Sequence, residues 1–118
     1  MYVEDNQPNI ELVEEIISTK RKGIQLKIHM SGKGVVEKIK ETKPDIILLD
    51  LNLPDKHGKE ILQEIKADES IREIPVLIIS ADAMPNQINE LKSIGAANYL
   101  TKPIEIKSFL EIIDAYIQ

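Results

Sequence analysis

The chain has 118 residues, a net charge of −5 at neutral pH and no cysteine. That length suits a single domain over residues 1–118, large enough to bury a core without staples. The lack of cysteine excludes disulfides, thiolate metal sites and a cysteine nucleophile, and the acidic balance argues against direct nucleic acid binding by this domain. No apolar run approaches a membrane span, so the expected location is cytoplasmic, with no membrane contact.

Short apolar runs alternate with helical patterns, the signature of βα units around a parallel sheet. Tyr2 and Val3 form the stub of a first strand. Pro8 suits a first helical turn. Ile10, Leu12, Val13, Ile16 and Ile17 then line one helical face that stops near Gly23. The basic run Lys20-Arg21-Lys22 falls at that helix end and complements its dipole. Residues 24–30, "IQLKIHM", alternate and predict a half-exposed edge strand. Residues 33–42 carry Val35, Val36 and Ile39 at helical spacing. Gly34, near the start of that helix, is expected to weaken it by up to about 1 kcal/mol relative to alanine.

"DIILLD", residues 45–50, predicts a buried central strand. "NLPDKHG" is loop, and Ile61, Leu62 and Ile65 mark a third helix. "PVLIIS", residues 75–80, is a second buried strand. A weaker helix follows, with Ile88, Leu91 and Ile94 inward and Gly95 as its stop. "ANYL", residues 97–100, is a short fifth strand. Ile106, Phe109, Leu110, Ile113 and Ile117 make the core stripe of a last helix. Five strands and five helices in alternation, with right-handed crossovers, place helices on both faces of a doubly wound α/β sheet.

Asp50 ends a run of four apolar residues, and a buried acid is costly unless paired or bound to metal. In open α/β sheets, ligands bind beyond the carboxyl ends of the strands. Glu4 and Asp5 follow the first strand, Asp50 ends the third, Ser80 ends the fourth, and Lys102 with Pro103 follows the fifth. Crowded carboxylates repel, and a hard divalent cation such as Mg²⁺ resolves the repulsion through oxygen ligands. A lysine point charge can hold a phosphoryl group, and a serine hydroxyl can donate to another of its oxygens. These parts describe a carboxylate nucleophile that accepts a phosphoryl group with metal help.

Each residue alone has a plainer reading. Glu4 and Asp5 suit a helix start, and Asp50 can cap the next loop. Thr101 and Pro103 can open a helix, and Tyr99 can be an ordinary strand aromatic. The joint occurrence of these polar groups at four strand ends favours the chemical reading. His29 and His57 are not at metal spacing and are expected at the surface.

Together "VEDN", "DIILLDLNLP", "IPVLIISADAMP" and "NYLTKP" resemble the receiver domain of two-component response regulators, in order and over nearly the whole chain. The resemblance implies a flavodoxin-like fold, a five-stranded parallel sheet of order 2-1-3-4-5 with five helices. It implies that Asp50 accepts a phosphoryl group from a phosphohistidine on a sensor histidine kinase or a histidine phosphotransfer domain. Asp5 and Asp50 would ligate Mg²⁺ with the backbone carbonyl of Asn52, and Glu4 would act largely through a water. Ser80, the N–H of Ala81 and Lys102 would hold the phosphoryl group. Tyr99 would be the switch aromatic coupled to Ser80, and the Lys102–Pro103 bond would be cis.

The pairing of "VEDN" with "ADAMP" is closer to receivers of hybrid sensor kinases than to those fused to DNA-binding domains. Such a domain is expected to be a monomer or weak dimer that catalyses only its own phosphorylation and dephosphorylation. Three departures stand out: a short first strand, and Lys56 and His57 where the family often has an apolar residue and an acid before Gly58. Two alternatives remain. One is a phosphorylation-independent interaction module with the same fold. The other is a Mg²⁺-dependent phosphatase or phosphotransferase, disfavoured by Asn52 at the place where such enzymes commonly carry a general acid.

Overall fold

The order of strands and helices follows the alternation of the sequence. The computed structural model describes residues 1–81 and 84–117. Asp82 and Ala83, part of the "ADAMP" motif, and Gln118 lie outside the described residues. In chain order the elements are β1 (Tyr2–Val3), α1 (Gln7–Lys20), β2 (Ile28–His29), α2 (Val35–Thr42), β3 (Ile47–Asp50), α3 (Gly58–Ala67), β4 (Val76–Ser80), α4 (Pro85–Ile94), β5 (Asn98–Thr101) and α5 (Ile106–Tyr116). The strands form one five-stranded sheet in the order β2-β1-β3-β4-β5, parallel at every pairing. This is the flavodoxin-like arrangement expected from the resemblance.

Alternate side chains of each strand feed opposite faces of the sheet, and the core divides accordingly. Val3, Leu49 and Ile78 pack with Val35 and Ile39 of α2, Ile61, Leu62 and Ile65 of α3 and Leu91 of α4. Tyr2, Leu48, Leu77 and Ile79 pack with Ile10 and Val13 of α1 and Phe109 and Ile113 of α5. β3 and β4 are buried throughout, as their unbroken apolar runs require.

Local chemistry sets the helix ends. Asn6 caps α1 by accepting from the Asn9 N–H at 3.0 Å, with Pro8 in the first turn. Arg21 closes its far end and forks onto Asp114 of α5, at 2.7 and 2.5 Å. His57 is exposed and caps α3, its Nδ1 accepting from the Lys59 N–H at 3.1 Å. His29 is half-buried, with Nε2 3.0 Å from the Lys33 carbonyl oxygen.

Several expectations are corrected. The edge strand is not 24–30 but only Ile28–His29, because β1 presents only Tyr2 and Val3 for it to pair with. Gly34 is not a weak helical residue. It lies outside α2 as its N-cap, at φ 76° in the left-handed region, where glycine is the favoured residue. Ile106 is not part of the core stripe; as the first residue of α5 it is 47% exposed. Thr101 and Pro103 do not open a helix, since Thr101 ends β5 and α5 starts at Ile106. Ile88 and Ile94 are half-buried, leaving Leu91 as the buried anchor of α4. No helix of the described residues is long and apolar enough to cross a membrane.

Candidate functional site at the carboxyl rim of the sheet

Because all strands run parallel, their carboxyl ends share one rim. The register pairs Val3 with Leu49, Asp50 with Ile79, and Ser80 with Thr101. Glu4, Asp50, Ser80 and Lys102 therefore arrive side by side. Among the described residues, the buried polar or charged ones are Glu4, Asp50 and Ser80, and all three stand on this rim. Buried polar groups need partners, and those of the two acids can be named.

Lys102 Nζ lies 3.2 Å from Asp50 Oδ1 and 3.1 Å from Glu4 Oε1. The backbone N–H of Lys102 donates to the Ser80 carbonyl at 2.9 Å, which ties the lysine to the end of β4. The Lys102–Pro103 bond is cis. The Asn52 N–H donates to Asp50 Oδ1 at 3.2 Å, so the plain reading of Asp50 as a loop cap also holds in part. Asn52 itself is exposed and pairs with His57 in an isolated antiparallel bridge. The Gly58 N–H closes the same loop onto the Leu51 carbonyl at 2.9 Å.

Glu4 is fully enclosed, and five donors surround its carboxylate. The Tyr2 hydroxyl donates to Oε1 at 2.9 Å and Asn9 Nδ2 at 3.3 Å, beside the Lys102 ammonium. The N–H groups of Asp5 and Asn6 donate to Oε2 at 3.2 and 3.4 Å. Carboxylate oxygens of Glu4, Asp5 and Asp50 lie within 4.8 Å of one another. An all-oxygen set of three carboxylates facing one ammonium fits a hard divalent cation.

The electrostatics of the two buried acids diverge. Burial opposes ionisation of Glu4, but hydrogen bonds from Asp50, Lys102 and Tyr2 outweigh it and hold its carboxyl below the usual range. Burial, then the neighbouring Glu4, pushes the Asp50 carboxyl up to about 6. Burial works against the Lys102 ammonium too, yet Glu4 and Asp50 more than compensate and raise it. The rim thus keeps Glu4 and Lys102 as an ion pair and places the energetic burden of an extra negative charge on Asp50.

Tyr99 lies on β5, half-buried, and packs against the α2–α4 face of the core. Ala81 is exposed directly after Ser80. Of the eight residues singled out in the sequence, Glu4, Asp5, Asp50, Asn52, Ser80, Ala81 and Lys102 stand at or beside the rim, while Tyr99 lies within β5, paired with Ile78. Tyr2 and Asn9 escaped the sequence reading. Tyr2 had a usable signal: in an extended segment it stands two residues before Glu4, on the same face. Asn9 had none, because its contact depends on how α1 returns past β1. Asp55 was also missed. Its carboxylate accepts from the Gly32 and Lys33 N–H groups, each at 2.9 Å, and ties the loop after Asp50 to the loop before α2.

This geometry has counterparts among known proteins. The chain is 34% identical over 117 residues to the polar-differentiation response regulator DivK of Brucella ovis, covering 99% of this chain and 94% of the relative. In structure it is similar to the receiver domain of the sensor histidine kinase PA1611 from Pseudomonas aeruginosa, which has magnesium coordinated in its active-site cleft. There the TM-score is 0.85 at 27% identity, over 98% of this chain and 93% of the other. It is also similar to the phosphorylated cyanobacterial phytochrome response regulator RcpA, with a TM-score of 0.83 at 29% identity, over 97% and 86% of the two chains. The family model for the response regulator receiver domain matches residues 1–114, and with the rim of acids, serine and lysine in place, the chain belongs to that family.

Proposed function

We propose that the chain is a phosphorylation switch of a two-component phosphorelay, with Asp50 as phosphoacceptor. The observation that carries this reading is a buried Asp50 flanked by Lys102 at 3.2 Å and by the Glu4–Asp5 acid pair. Such an acid costs stability as it stands, and a phosphoryl group held by lysine and metal would put that cost to use.

The donor in this reading is a phosphohistidine on a sensor histidine kinase or histidine phosphotransfer domain. The Asp50 carboxylate attacks phosphorus, the P–N bond breaks as the O–P bond forms, and the imidazole leaves with the electron pair. Asp5, Asp50 and the Asn52 carbonyl would hold Mg²⁺, with Glu4 acting through a water. When bound, Mg²⁺ neutralises charge on the carboxylates and on the phosphoryl oxygens. Lys102 supplies a point charge to the transferred group. The Ser80 hydroxyl and the Ala81 N–H donate to its remaining oxygens, and Tyr99 turns inward as Ser80 is recruited. The surface of α4, β5 and α5 then reports the change to a partner. The domain modifies only itself and turns over no separate metabolite. We place it in the cytoplasm as a monomer or weak dimer, with no nucleic acid or membrane contact of its own.

The test is intact mass after incubation with Mg²⁺ and a small-molecule phosphodonor, beside Asp50→Asn. The expected result is one acid-stable, base-labile phosphoryl group on the wild type, dependent on Mg²⁺ and absent from the variant. Two folded proteins that gain no mass, even from a phosphohistidine protein donor, would move the phosphorylation-independent interaction module to the front.

A further inference from the structure

Tyr2 is fully buried, packed in the apolar layer between the sheet and the helices α1 and α5. An aliphatic residue would fill that layer without bringing a polar atom. A buried phenol needs a hydrogen-bond partner, and here the partner is Glu4 Oε1 at 2.9 Å. An ionised carboxylate has no proton to give, so the hydroxyl is the donor of this bond.

The remaining bonds of Glu4 show what this contact fixes. Asn9 Nδ2 joins Tyr2 on Oε1, and two backbone N–H groups occupy Oε2. A carboxylate offers about four lone-pair sites, and five donors already crowd this one. Glu4 is therefore the most encumbered acid of the rim and suits an indirect role through a water, and the acids freer for direct ligation are Asp5 and Asp50. The same Oε1 that takes the phenol also takes Lys102 Nζ at 3.1 Å. Moving Glu4 would move the ammonium that stands 3.2 Å from Asp50.

We infer that Tyr2 is a positioning residue of the site, assisted by Asn9: its hydroxyl locks the Glu4 carboxylate so that Glu4 holds Lys102 beside Asp50 and leaves direct metal ligation to Asp5 and Asp50. This rests on the function proposed above. Partners that orient a metal site from behind its ligands typically contribute about tenfold or more in metal affinity.

Tyr2→Phe tests the inference, because it removes one oxygen and keeps the ring. Three readouts are compared with the wild type: the thermal midpoint, the ¹³C shift of the Glu4 side-chain carboxyl without metal, and the Mg²⁺ dissociation constant by titration calorimetry. The expected result is a folded variant whose Glu4 carboxyl shift moves, while that of Asp55 does not, and whose Mg²⁺ affinity falls about tenfold. A folded variant with an unmoved Glu4 signal and wild-type Mg²⁺ affinity reduces Tyr2 to core packing and overturns the inference. Should Tyr2→Phe fail to fold, Asn9→Ala, which removes a second donor from Oε1, decides: weaker Mg²⁺ binding upholds the lock and unchanged binding overturns it. A wild type with no Mg²⁺ affinity would overturn the proposed function and this inference together, whereas equal binding by wild type and variant overturns the inference alone.

Discussion

Lys102 Nζ stands 3.2 Å from Asp50 Oδ1, although β4 lies between β3, which ends in Asp50, and β5, which Lys102 follows. The lysine crosses that strand because its own backbone N–H is anchored on the Ser80 carbonyl and its side chain runs along the rim. It is the ammonium that offsets both buried acids, and its side chain is only 19% exposed.

Removing that ammonium leaves Glu4 and Asp50 without their counter-charge. Breaking one side of a buried ion pair costs about 3–5 kcal/mol, and partial exposure of Lys102 lowers the expectation to about 2–4 kcal/mol. Lys102→Met should lose that much stability in urea with chelator present. Excess Mg²⁺ should restore more of it than it adds to the wild type, because the cation replaces the missing positive charge. Equal Mg²⁺ stabilisation of the two proteins would show that lysine and metal do not share the same acids.

The raised Asp50 carboxyl fixes a pH dependence of stability. Its ordinary value is 3.8 and its folded value is about 6. Between these, the folded state binds more protons than the unfolded state, so stability falls as pH rises. The contribution is full at low pH and lost once pH passes about 6. Glu4 acts in the opposite sense, but only below its ordinary 4.5, and the Met1 amino group, held down to about 6 by burial, does so only above about 6, which leaves pH 4.5 to 6 to Asp50. Each pH unit between the two values of Asp50 is worth about 1.36 kcal/mol, so the upper limit of the loss is about 3 kcal/mol. Urea denaturation of metal-free protein across that window should show the decline. Asp50→Asn should flatten it and be the more stable protein at pH 7.

The chemistry of the rim was legible because parallel strands bring their ends together whatever their lengths. Glu4, Asp5, Asp50, Ser80 and Lys102 needed only the strand ends to be located. Strand length was less legible. Ile24 and Leu26 continue the alternation of β2, yet they lie outside it, because the neighbouring strand offers no further partner. Periodicity records which side chains face inward, not how long the adjacent strand is. The interactions around Glu4 show the same limit. Tyr2 can be placed on the face of Glu4 by counting two along a strand, whereas Asn9 reaches it from α1, whose packing no local pattern encodes.

Gly34 separates local propensity from tertiary geometry. Counted as a helical residue, it predicts that alanine would stabilise α2. At φ 76°, with open space around the position, the only obstacle to a side chain is the backbone conformation itself. The left-handed region costs an L-residue about 1–2 kcal/mol. Gly34→Ala should therefore destabilise the domain by about 1 kcal/mol in urea denaturation, with Mg²⁺ affinity unchanged. A stabilised variant would mean that α2 extends through residue 34 in solution.

Gly58 couples packing directly to the backbone that bears Asp50. It opens α3, and a Cβ there would sit 2.7 Å from Leu51 Cα and 2.9 Å from the Asp50 carbonyl oxygen. Both are backbone atoms, so no side chain can turn aside. Either α3 or the segment bearing Asp50 must shift, and overpacking of this kind costs about 1–3 kcal/mol. The shift would also disturb the loop closed by the Gly58 N–H on Leu51 and by the Asn52–His57 bridge, which carries the Asn52 carbonyl. Gly58→Ala should lower stability by about 2 kcal/mol and slow phosphoryl uptake from a small-molecule donor, even where the protein remains fully folded. Gly23→Ala is the control, since nothing lies within 4 Å of its Cβ position, and both quantities should stay near wild type there. Normal phosphoryl uptake by a destabilised Gly58→Ala would show that the close approach serves packing alone and does not set the position of Asp50.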